Sequence, residues 1–311
     1  LQYIGLGQWF STFGSDEPLV CVVVTAFNVA PYLDESMSSV VKQTYRNLQI
    51  VIIDDVSTDG TSQRAKEWEK RDSRVTAYTL PFGTYGGAGQ PTNRGVAMCK
   101  GKYVALVDGD DFLGQTMYEK MVRKAEQHDL DVVLCDWETL DDETSKRSMS
   151  YDHGQFRTLA EAAPGFAPKA FREAYTMSAV PWRKLYRRQF MLEHDIGMPE
   201  GDYFYEDNAL HWLVQLHAQR MGVVDESFPV HRKGRKGQTT AAARTVSEGL
   251  REGDQTLELA GYFPNFNFVG KNLFNMKTPD PVALTEYFNW IGPRSVWLTR
   301  KERSEKLTRK F

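Results

Sequence analysis

The alternation of short apolar runs with helical segments over residues 19–107 is the feature that most constrains the fold. Runs rich in β-branched residues predict four strands, at Leu19–Phe27, Leu48–Asp54, Val75–Leu80 and Tyr103–Val107. Amphipathic or charged segments between them predict helices at Ala30–Gln43, Thr61–Lys70 and Asn93–Lys100. Because this alternation implies helical crossovers, the sequence predicts an α/β fold with a doubly wound, mostly parallel sheet and helices on both faces.

The pattern changes after about residue 140. The polar segment Asp141–His153 predicts a surface loop, and Glu206–Arg220 predicts an amphipathic helix. Residues 278–311 predict helices that end in a basic tail, Arg300–Lys310. We therefore expect an N-terminal extension over 1–17, a first α/β half over 18–140, a second half of the same domain over 141–250 and a helical extension over 251–311.

Charge and cysteine content exclude several classes of protein. Lys and Arg number 38 and Asp and Glu 41, so the net charge of −3 argues against a nucleic-acid binder. Three scattered cysteines, Cys21, Cys99 and Cys135, predict free thiols in a reducing compartment, with neither a disulfide framework nor a zinc site. The longest uncharged run has 16 residues, fewer than a membrane span needs, and no signal peptide is evident. We expect a cytoplasmic protein.

Three carboxylates, Asp108, Asp110 and Asp111, follow the fourth predicted strand. Ligands of open α/β sheets bind beyond the carboxyl ends of the strands. Carboxylates packed this closely repel one another unless a cation lies among them, and oxygen ligands suit Mg²⁺ or Mn²⁺ beside a phosphate. A solvated turn is the alternative, because Asp-Gly is a common turn dipeptide.

A second acidic pair, Asp54 and Asp55, ends the second predicted strand. A carboxylate at this position can accept hydrogen bonds from a nucleotide base or a ribose. The following turn also offers helix-capping residues, and we assign Asp59 to capping. The first strand ends in Thr25-Ala26-Phe27-Asn28, which would adjoin both acidic segments in a doubly wound sheet.

These segments together resemble family 2 glycosyltransferases. The resemblance spans about residues 18–140 and is carried by VCVVVTAFNVAPYLDESMSSVVKQTYRNLQIVIIDDVSTDGT, by NRG at Asn93–Gly95 and by GKYVALVDGDDF. Three later segments extend the resemblance: VPWRKLY from Val180, FYED from Phe204 and HRKGRKGQTT from His231. It implies a GT-A-type fold in which residues 18–140 bind a nucleotide sugar and the C-terminal, mostly helical region lies on the acceptor side.

The resemblance also implies roles for individual residues. Asp207 is the expected base that deprotonates the acceptor hydroxyl, with Glu206 as the fallback. Without the resemblance, both would be read as ordinary carboxylates at a helix N-terminus. Asp110 is the expected ligand of a divalent ion, Mn²⁺ or Mg²⁺, with Asp108 and His231 as further ligands. The donor-binding candidates are Thr25, Ala26, Asn28, Asp54, Asp55, Asn93, Arg94, Asp108, Gly109, Asp110, Lys184, Arg232 and Arg235.

The implied activity is metal-dependent transfer, with inversion, of a sugar from a nucleotide diphosphate sugar, most often UDP-linked, to a glycan or lipid-linked acceptor. One alternative is a sugar nucleotidyltransferase, which would carry a GxGxR loop where this chain has TAFNVAPYL. Another is a non-catalytic nucleotide- or glycan-binding relative, which would lack Asp110 or Asp207. The basic tail fits contact with anionic lipid at the cytoplasmic membrane face, although Glu302 and Glu305 interrupt its charge, as in a solvated helix end.

Overall fold

The computed structural model describes residues 17–84, 87–161, 165–168, 174, 177–198, 206–235 and 238. Its strands are β1 Val20–Ala26, β2 Leu48–Asp54, β3 Val75–Thr79, β4 Tyr103–Asp108, β5 Phe112–Leu113, β6 Val132–Asp141, β7 Arg147–Met149, β8 Lys184–Arg187 and β9 Met221–Lys233. Its helices are α1 Leu33–Val41, α2 Thr61–Arg71, α3 Gly89–Met98, α4 Met117–His128, α5 His153–Ala160, α6 Arg188–Glu193 and α7 Glu206–His217. A 3₁₀ turn, Pro181–Arg183, precedes β8.

All nine strands belong to one sheet, ordered β3-β2-β1-β4-β8-β6-β9-β5, with β7 paired to β6. The pairs β1–β2, β2–β3, β1–β4 and β6–β9 are parallel, whereas β5, β7 and β8 run against their neighbours. The four strands predicted from the sequence are confirmed as β1–β4. Because the chain leaves β1 on one side toward β2 and reaches β4 on the other, the strand order reverses at the β1–β4 pair.

Helices cover both faces of the sheet, as predicted. Along β1, Val20, Val22 and Val24 pack into a core with residues of α1, α2 and α4. The intervening Cys21 and Val23 face the opposite core, which contains residues of α5, α6 and α7. Successive strand residues point to opposite faces, so a run that is apolar at every position serves two cores at once.

The second half of the chain extends the same sheet. The prediction of a loop over Asp141–His153 is wrong in part, because β7 pairs with β6 inside this segment. All three β7 residues are exposed, so the strand lacks the apolar alternation that would reveal it. Residues 1–16 and the whole of 251–311, with the basic tail, lie outside the described residues. Within the described part of the chain, each helix is too short or too polar to span a membrane.

The prediction of three free cysteines is also wrong. Cys21 of β1 forms a disulfide with Cys99, at the C-terminal end of α3, and Cys135 is a buried free thiol. The two partners meet because α3 packs unusually close to β1: a Cβ added to Gly95 would lie 2.2 Å from Cγ1 of Val23. A sequence separation of 78 gives no sign of such packing. The cysteines therefore do not favour a reducing compartment.

The disulfide makes a quantitative prediction. In protein purified without reductant and then denatured, we expect iodoacetamide to add one adduct, on Cys135, and three adducts after reduction, as measured by intact mass. Replacing both Cys21 and Cys99 by Ser should lower the free energy of unfolding by about 2–4 kcal/mol in a urea titration, because the bond closes a long loop. Three adducts without reduction would contradict the pairing.

Candidate active site

A cavity of about 270 Å³ opens at the carboxyl ends of the parallel strands, next to the β1–β4 pair. The predicted site residues that line it are Thr25, Ala26, Asp55, Asp108, Asp110, Glu206, Asp207, His231 and Arg235. Residues that the sequence analysis did not assign also line it, among them Thr92, Trp182 and Gln238. The strand-end motifs, the start of α7 and the segment after β9 therefore meet at one place.

The three carboxylates after β4 have different surroundings. Asp108 accepts a hydrogen bond from the hydroxyl of Thr25 at 3.2 Å, and Asp110 is paired with the guanidinium of Arg235. Burial, and then the charges of Asp111 and Asp110, raise the pKa of Asp108 to about 8. Asp108 and Asp110 both line the cavity, so its wall carries two closely spaced carboxyl groups.

The third carboxylate, Asp111, is bound to the segment that ends β9. It accepts a hydrogen bond from the amide of Arg232 at 2.8 Å and lies 2.9 Å from Nδ1 of His231. Burial lowers the pKa of His231, but the charge and hydrogen bond of Asp111, together with the charges of Asp108 and Asp110, outweigh burial and raise it to about 9. The imidazole also stacks on Trp182, with 5.4 Å between ring centroids. Asp111 thus orients a histidine that lines the cavity.

Gly109, predicted to bind the donor, is not among the cavity-lining residues. A Cβ at this position would lie 2.9 Å from the carbonyl oxygen of Thr25, and the Gly109 amide donates to the same oxygen at 2.8 Å. Glycine therefore lets the turn after β4 lie directly against the end of β1.

The structure distinguishes between the two carboxylates after β2. Asp55 lines the cavity and accepts a 3.0 Å hydrogen bond from the amide of Thr84. Asp54 is buried beside the cavity and accepts a hydrogen bond from the hydroxyl of Ser62. Burial raises the pKa of Asp55, and the hydrogen bonds from Thr84 oppose that rise. Asp55 is therefore the carboxylate available to a ligand.

Two polar residues of the same edge hold turns together. The side-chain oxygen of Asn28 accepts a 2.9 Å hydrogen bond from the amide of Thr58, and Asn28 does not line the cavity. Asp59 accepts 3.0 Å hydrogen bonds from the amides of Thr61, the first residue of α2, and of Ala30. The N-cap of α2 is Gly60, so the prediction that Asp59 is the capping residue is wrong, although Asp59 still binds the first amide of the helix. Asn28 is a turn residue rather than a cavity residue.

The two carboxylates at the start of α7, Glu206 and Asp207, have different contacts. The Glu206 carboxylate accepts a 2.5 Å hydrogen bond from the amide of Ala88. Burial and the charge of Asp207 raise the pKa of Glu206 to about 7. The Oδ1 atom of Asp207 is buried and has no hydrogen-bond partner among the described residues. Burial raises the pKa of Asp207, while the charge of Lys184 lowers it. Glu206 is thus bound to Ala88, the residue before α3, whereas Asp207 has an oxygen that can accept a hydrogen bond from a ligand.

Lys184, predicted to bind the donor, lies behind the cavity wall. Its ammonium group is buried and donates to the carbonyl oxygens of Ala179 at 3.0 Å and Val180 at 2.8 Å. Burial, and then the charge of Arg183, lower the pKa of Lys184 to about 7. The side chain supports the wall that includes Val180 and contributes positive charge near Asp207.

Asn93 and Arg94 of α3, predicted to bind the donor, do not line the cavity. The side-chain amide of Asn93 exchanges two hydrogen bonds with the backbone of Met198, at 2.7 and 3.0 Å. The guanidinium of Arg94 lies over the ring of Tyr78, 4.7 Å from its centroid. The α3 residues Pro91 and Thr92, two positions and one position before Asn93, line the cavity instead.

Arg232 holds separate elements together and does not line the cavity. Its buried guanidinium donates to Asp142 at 2.7 Å, to Glu35 of α1 at 2.6 Å and to the carbonyl oxygen of Asp110 at 3.1 Å. It also lies over the ring of Tyr32, 4.8 Å from the centroid. Arg232 therefore joins α1, the turn after β4 and the end of β9.

Comparison with known proteins identifies the family. The model described as Glycosyl transferase family 2 matches residues 21–194, more than half of the chain. The chain belongs to glycosyl transferase family 2. It is 35% identical to the glycosyltransferase GlyG of Streptococcus pneumoniae, over 69% of this chain and 71% of GlyG. It is 26% identical to the uncharacterized glycosyltransferase EpsJ of Bacillus subtilis, over 70% of this chain and 61% of EpsJ.

Solved structures give the same result for the fold. The Staphylococcus aureus TarS 1–349 structure in complex with UDP-GlcNAc matches with a TM-score of 0.62 and 25% identity, covering 72% of this chain and 60% of that one. The Pyrobaculum calidifontis mannosyltransferase PcManGT, solved with GDP-Man and Mn²⁺, matches in fold with a TM-score of 0.55 and 16% identity, over 88% of this chain and 70% of that one. The GT-A-type fold implied by the resemblance is confirmed.

The network around Arg232 predicts a stability effect. Arg232→Ala should lower the free energy of unfolding by about 2–3 kcal/mol, because a buried guanidinium and its charged hydrogen bonds to Asp142 and to the carbonyl oxygen of Asp110 are lost. Urea titration measures the change. Arg157→Ala is the matched control, since the Arg157–Asp225 pair is about half exposed and is expected to contribute less than 1 kcal/mol. Equal losses in the two variants would contradict the structural role of Arg232.

Proposed function

We propose that the protein is an inverting glycosyltransferase that moves a sugar from a UDP-linked donor to the hydroxyl of an acceptor. One observation carries the proposal: Asp55, Asp108 and Asp110 share a cavity with Asp207, whose buried Oδ1 has no partner among the described residues. Membership of the family and the match to TarS solved with UDP-GlcNAc support a nucleotide-sugar donor. The presence of both Asp110 and Asp207 argues against a non-catalytic relative.

The donor would lie along the carboxyl edge of the sheet. Asp55 is held by Thr84 and offers its carboxylate to the base, and Thr25 and Ala26 border the nucleotide at the end of β1. Arg235 is paired with Asp110 in this structure. When a donor binds, the Arg235 guanidinium would turn from Asp110 to the diphosphate, because a guanidinium binds phosphate oxygens in a bidentate manner. The phosphates would then occupy the point where the strand order reverses.

The residues present fit a divalent ion that arrives with the donor. The described residues contain no cluster of three or more acidic, histidine or cysteine side chains able to hold a metal alone. Mg²⁺ and Mn²⁺ sites of this kind use one or two carboxylates together with substrate phosphates, and Asp108 and Asp110 supply those carboxylates. His231, oriented by Asp111, is the further candidate ligand. When bound, the ion would neutralise charge on the leaving diphosphate.

The chemical step assigned to Asp207 is proton removal. The acceptor oxygen attacks the anomeric carbon as the bond from that carbon to the diphosphate breaks, and the acceptor proton passes to the Asp207 carboxylate. A single displacement of this kind inverts the anomeric configuration. Glu206 holds Ala88, the residue before α3, at the start of α7, so we assign it a positioning role. The acceptor, the metal and membrane contact through the basic tail stay predictions.

Donor binding and turnover should separate in two variants. Titration calorimetry of UDP with and without Mn²⁺ should show metal-dependent binding by the wild type, and Asp110→Ala should lose the metal-dependent part because a ligand of the ion is removed. Asp207→Asn should retain UDP affinity within about twofold while UDP release from the best UDP-sugar falls by about 10²–10⁴. Equal Mn²⁺-dependent affinity of Asp110→Ala and wild type would refute the metal site.

Lys184 should set the pH dependence of the rate. The base must be ionised, so the rate rises with pH through the pKa of Asp207, which burial raises and the Lys184 charge lowers. Lys184→Met removes that charge, and the acidic limb of the pH–rate profile should therefore move to higher pH. UDP release across pH 5–9 measures the shift, about half a unit or more, and UDP affinity at pH 9 checks that the cavity is intact. An unchanged limb would contradict the coupling.

A further inference from the structure

The large exposed apolar side chains of the described residues fall into two groups along the chain. Of the five large ones found among the described residues, Phe27, Val56 and Phe82 follow the carboxyl ends of β1, β2 and β3. The other two, Met149 and Tyr151, end or follow β7, and neither lines the cavity. Tyr151 is the most exposed of the five, at 74%. The first group belongs to the proposed donor site, and the second has no function in the mechanism above.

Tyr151 is oriented opposite to most tyrosines in folded proteins. A tyrosine usually buries its ring and keeps its hydroxyl at the surface. Here the hydroxyl donates a 2.8 Å hydrogen bond to the buried hydroxyl of Ser178, and burial raises the pKa of Tyr151. The polar end is thus tied down while the ring stays in solvent. An apolar ring held in water is unfavourable, so its exposure needs an explanation.

A chain of aromatic contacts fixes the ring in relation to the cavity. Tyr151 packs edge-on against Trp137, with 5.5 Å between centroids, and Trp137 packs edge-on against Trp182 at 5.0 Å. Trp182 stacks on His231, and both of these side chains line the cavity. Tyr151 therefore lies outside the cavity, on the side of the wall formed by Pro181 and Trp182.

The support beneath this ring is rigid and fully buried. The Asp152 carboxylate accepts three hydrogen bonds: from the amide of Ser178 at 2.8 Å, from the guanidinium of Arg183 at 2.7 Å and from the indole N–H of Trp137 at 3.3 Å. The Arg183–Asp152 pair is inaccessible to solvent. The residue that anchors Tyr151 and the residue on which its ring packs are therefore held by one carboxylate. A preorganised ring costs little entropy to use in binding.

We propose that Tyr151 is an acceptor subsite that stacks against a sugar ring of the acceptor just outside the cavity. The inference rests on the proposed function and extends it from the donor to the acceptor. The apolar C–H face of a pyranose complements the negative face of an aromatic ring. The wall next to Tyr151 also contains Trp182, which lines the same cavity as Asp207, so a glycan crossing it would present its end to the base.

The test compares saccharide binding with UDP binding in three proteins. Wild type, Tyr151→Phe and Tyr151→Ala are each titrated onto immobilised oligosaccharides with UDP and Mn²⁺ present. The oligosaccharides are built from glucose, galactose, mannose, rhamnose, N-acetylglucosamine or N-acetylgalactosamine. Immobilised poly(ribitol phosphate), a polymer without sugar rings, is the control. We expect Tyr151→Phe to bind the same saccharides as wild type within about threefold, since it keeps the ring. Tyr151→Ala should bind them about tenfold more weakly. UDP affinity, measured separately, should be the same in all three.

Each of several results would overturn the inference. These are saccharide binding by Tyr151→Ala at wild-type strength, equal loss of UDP and saccharide binding in Tyr151→Ala, and a wild type that binds poly(ribitol phosphate) but none of the saccharides. Failure of the wild type to bind UDP at all would instead refute the proposed function, and the acceptor subsite with it. The UDP titration therefore separates the two failures.

Discussion

The carboxylates gathered at one edge of the sheet can remain together only because cationic side chains lie among them. Arg235 is paired with Asp110, the imidazole of His231 faces Asp111, and the ammonium of Lys184 acts on Asp207. A buried carboxylate without such a partner would be protonated rather than ionised. Asp108 accepts its hydrogen bond from the neutral hydroxyl of Thr25, and its raised pKa shows this effect. The shape and chemistry of the cavity follow from this balance of charge.

The sequence was sufficient to predict the donor half of the fold because the relevant signals are local. A strand buried on both faces must be apolar at nearly every position, and β1, β2 and β4 are. Once three parallel strands are recognised, polar residues at their carboxyl ends must share an edge. Thr25 pairs directly with Asp108 in the β1–β4 register, as this geometry requires. The cavity at that edge could therefore be located without knowing any side-chain position.

What the sequence could not predict depends on which way each side chain turns and on contacts between distant segments. Asp54 and Asp55 are adjacent and chemically identical, yet Asp55 lines the cavity and Asp54 does not, because successive residues point in opposite directions. The side chain of Asn93 binds the backbone of Met198, 105 positions away, and does not itself line the cavity. The Cys21–Cys99 bond depends on the close approach of α3 to β1, which is a property of packing rather than of spacing.

The segment that ends β9 shows how one short basic run serves both stability and binding. His231 and Arg232 pair with consecutive residues of β6, so their side chains leave the strand on opposite faces. His231 turns to Trp182 and the cavity, whereas Arg232 turns to Glu35 and Tyr32 of the first half. Arg235 lies beyond the strand and returns to the cavity at Asp110. Arg232 also donates a hydrogen bond to the backbone carbonyl oxygen of Asp110. The side chain that joins the two halves of the chain therefore also holds the backbone of a cavity-lining residue in place.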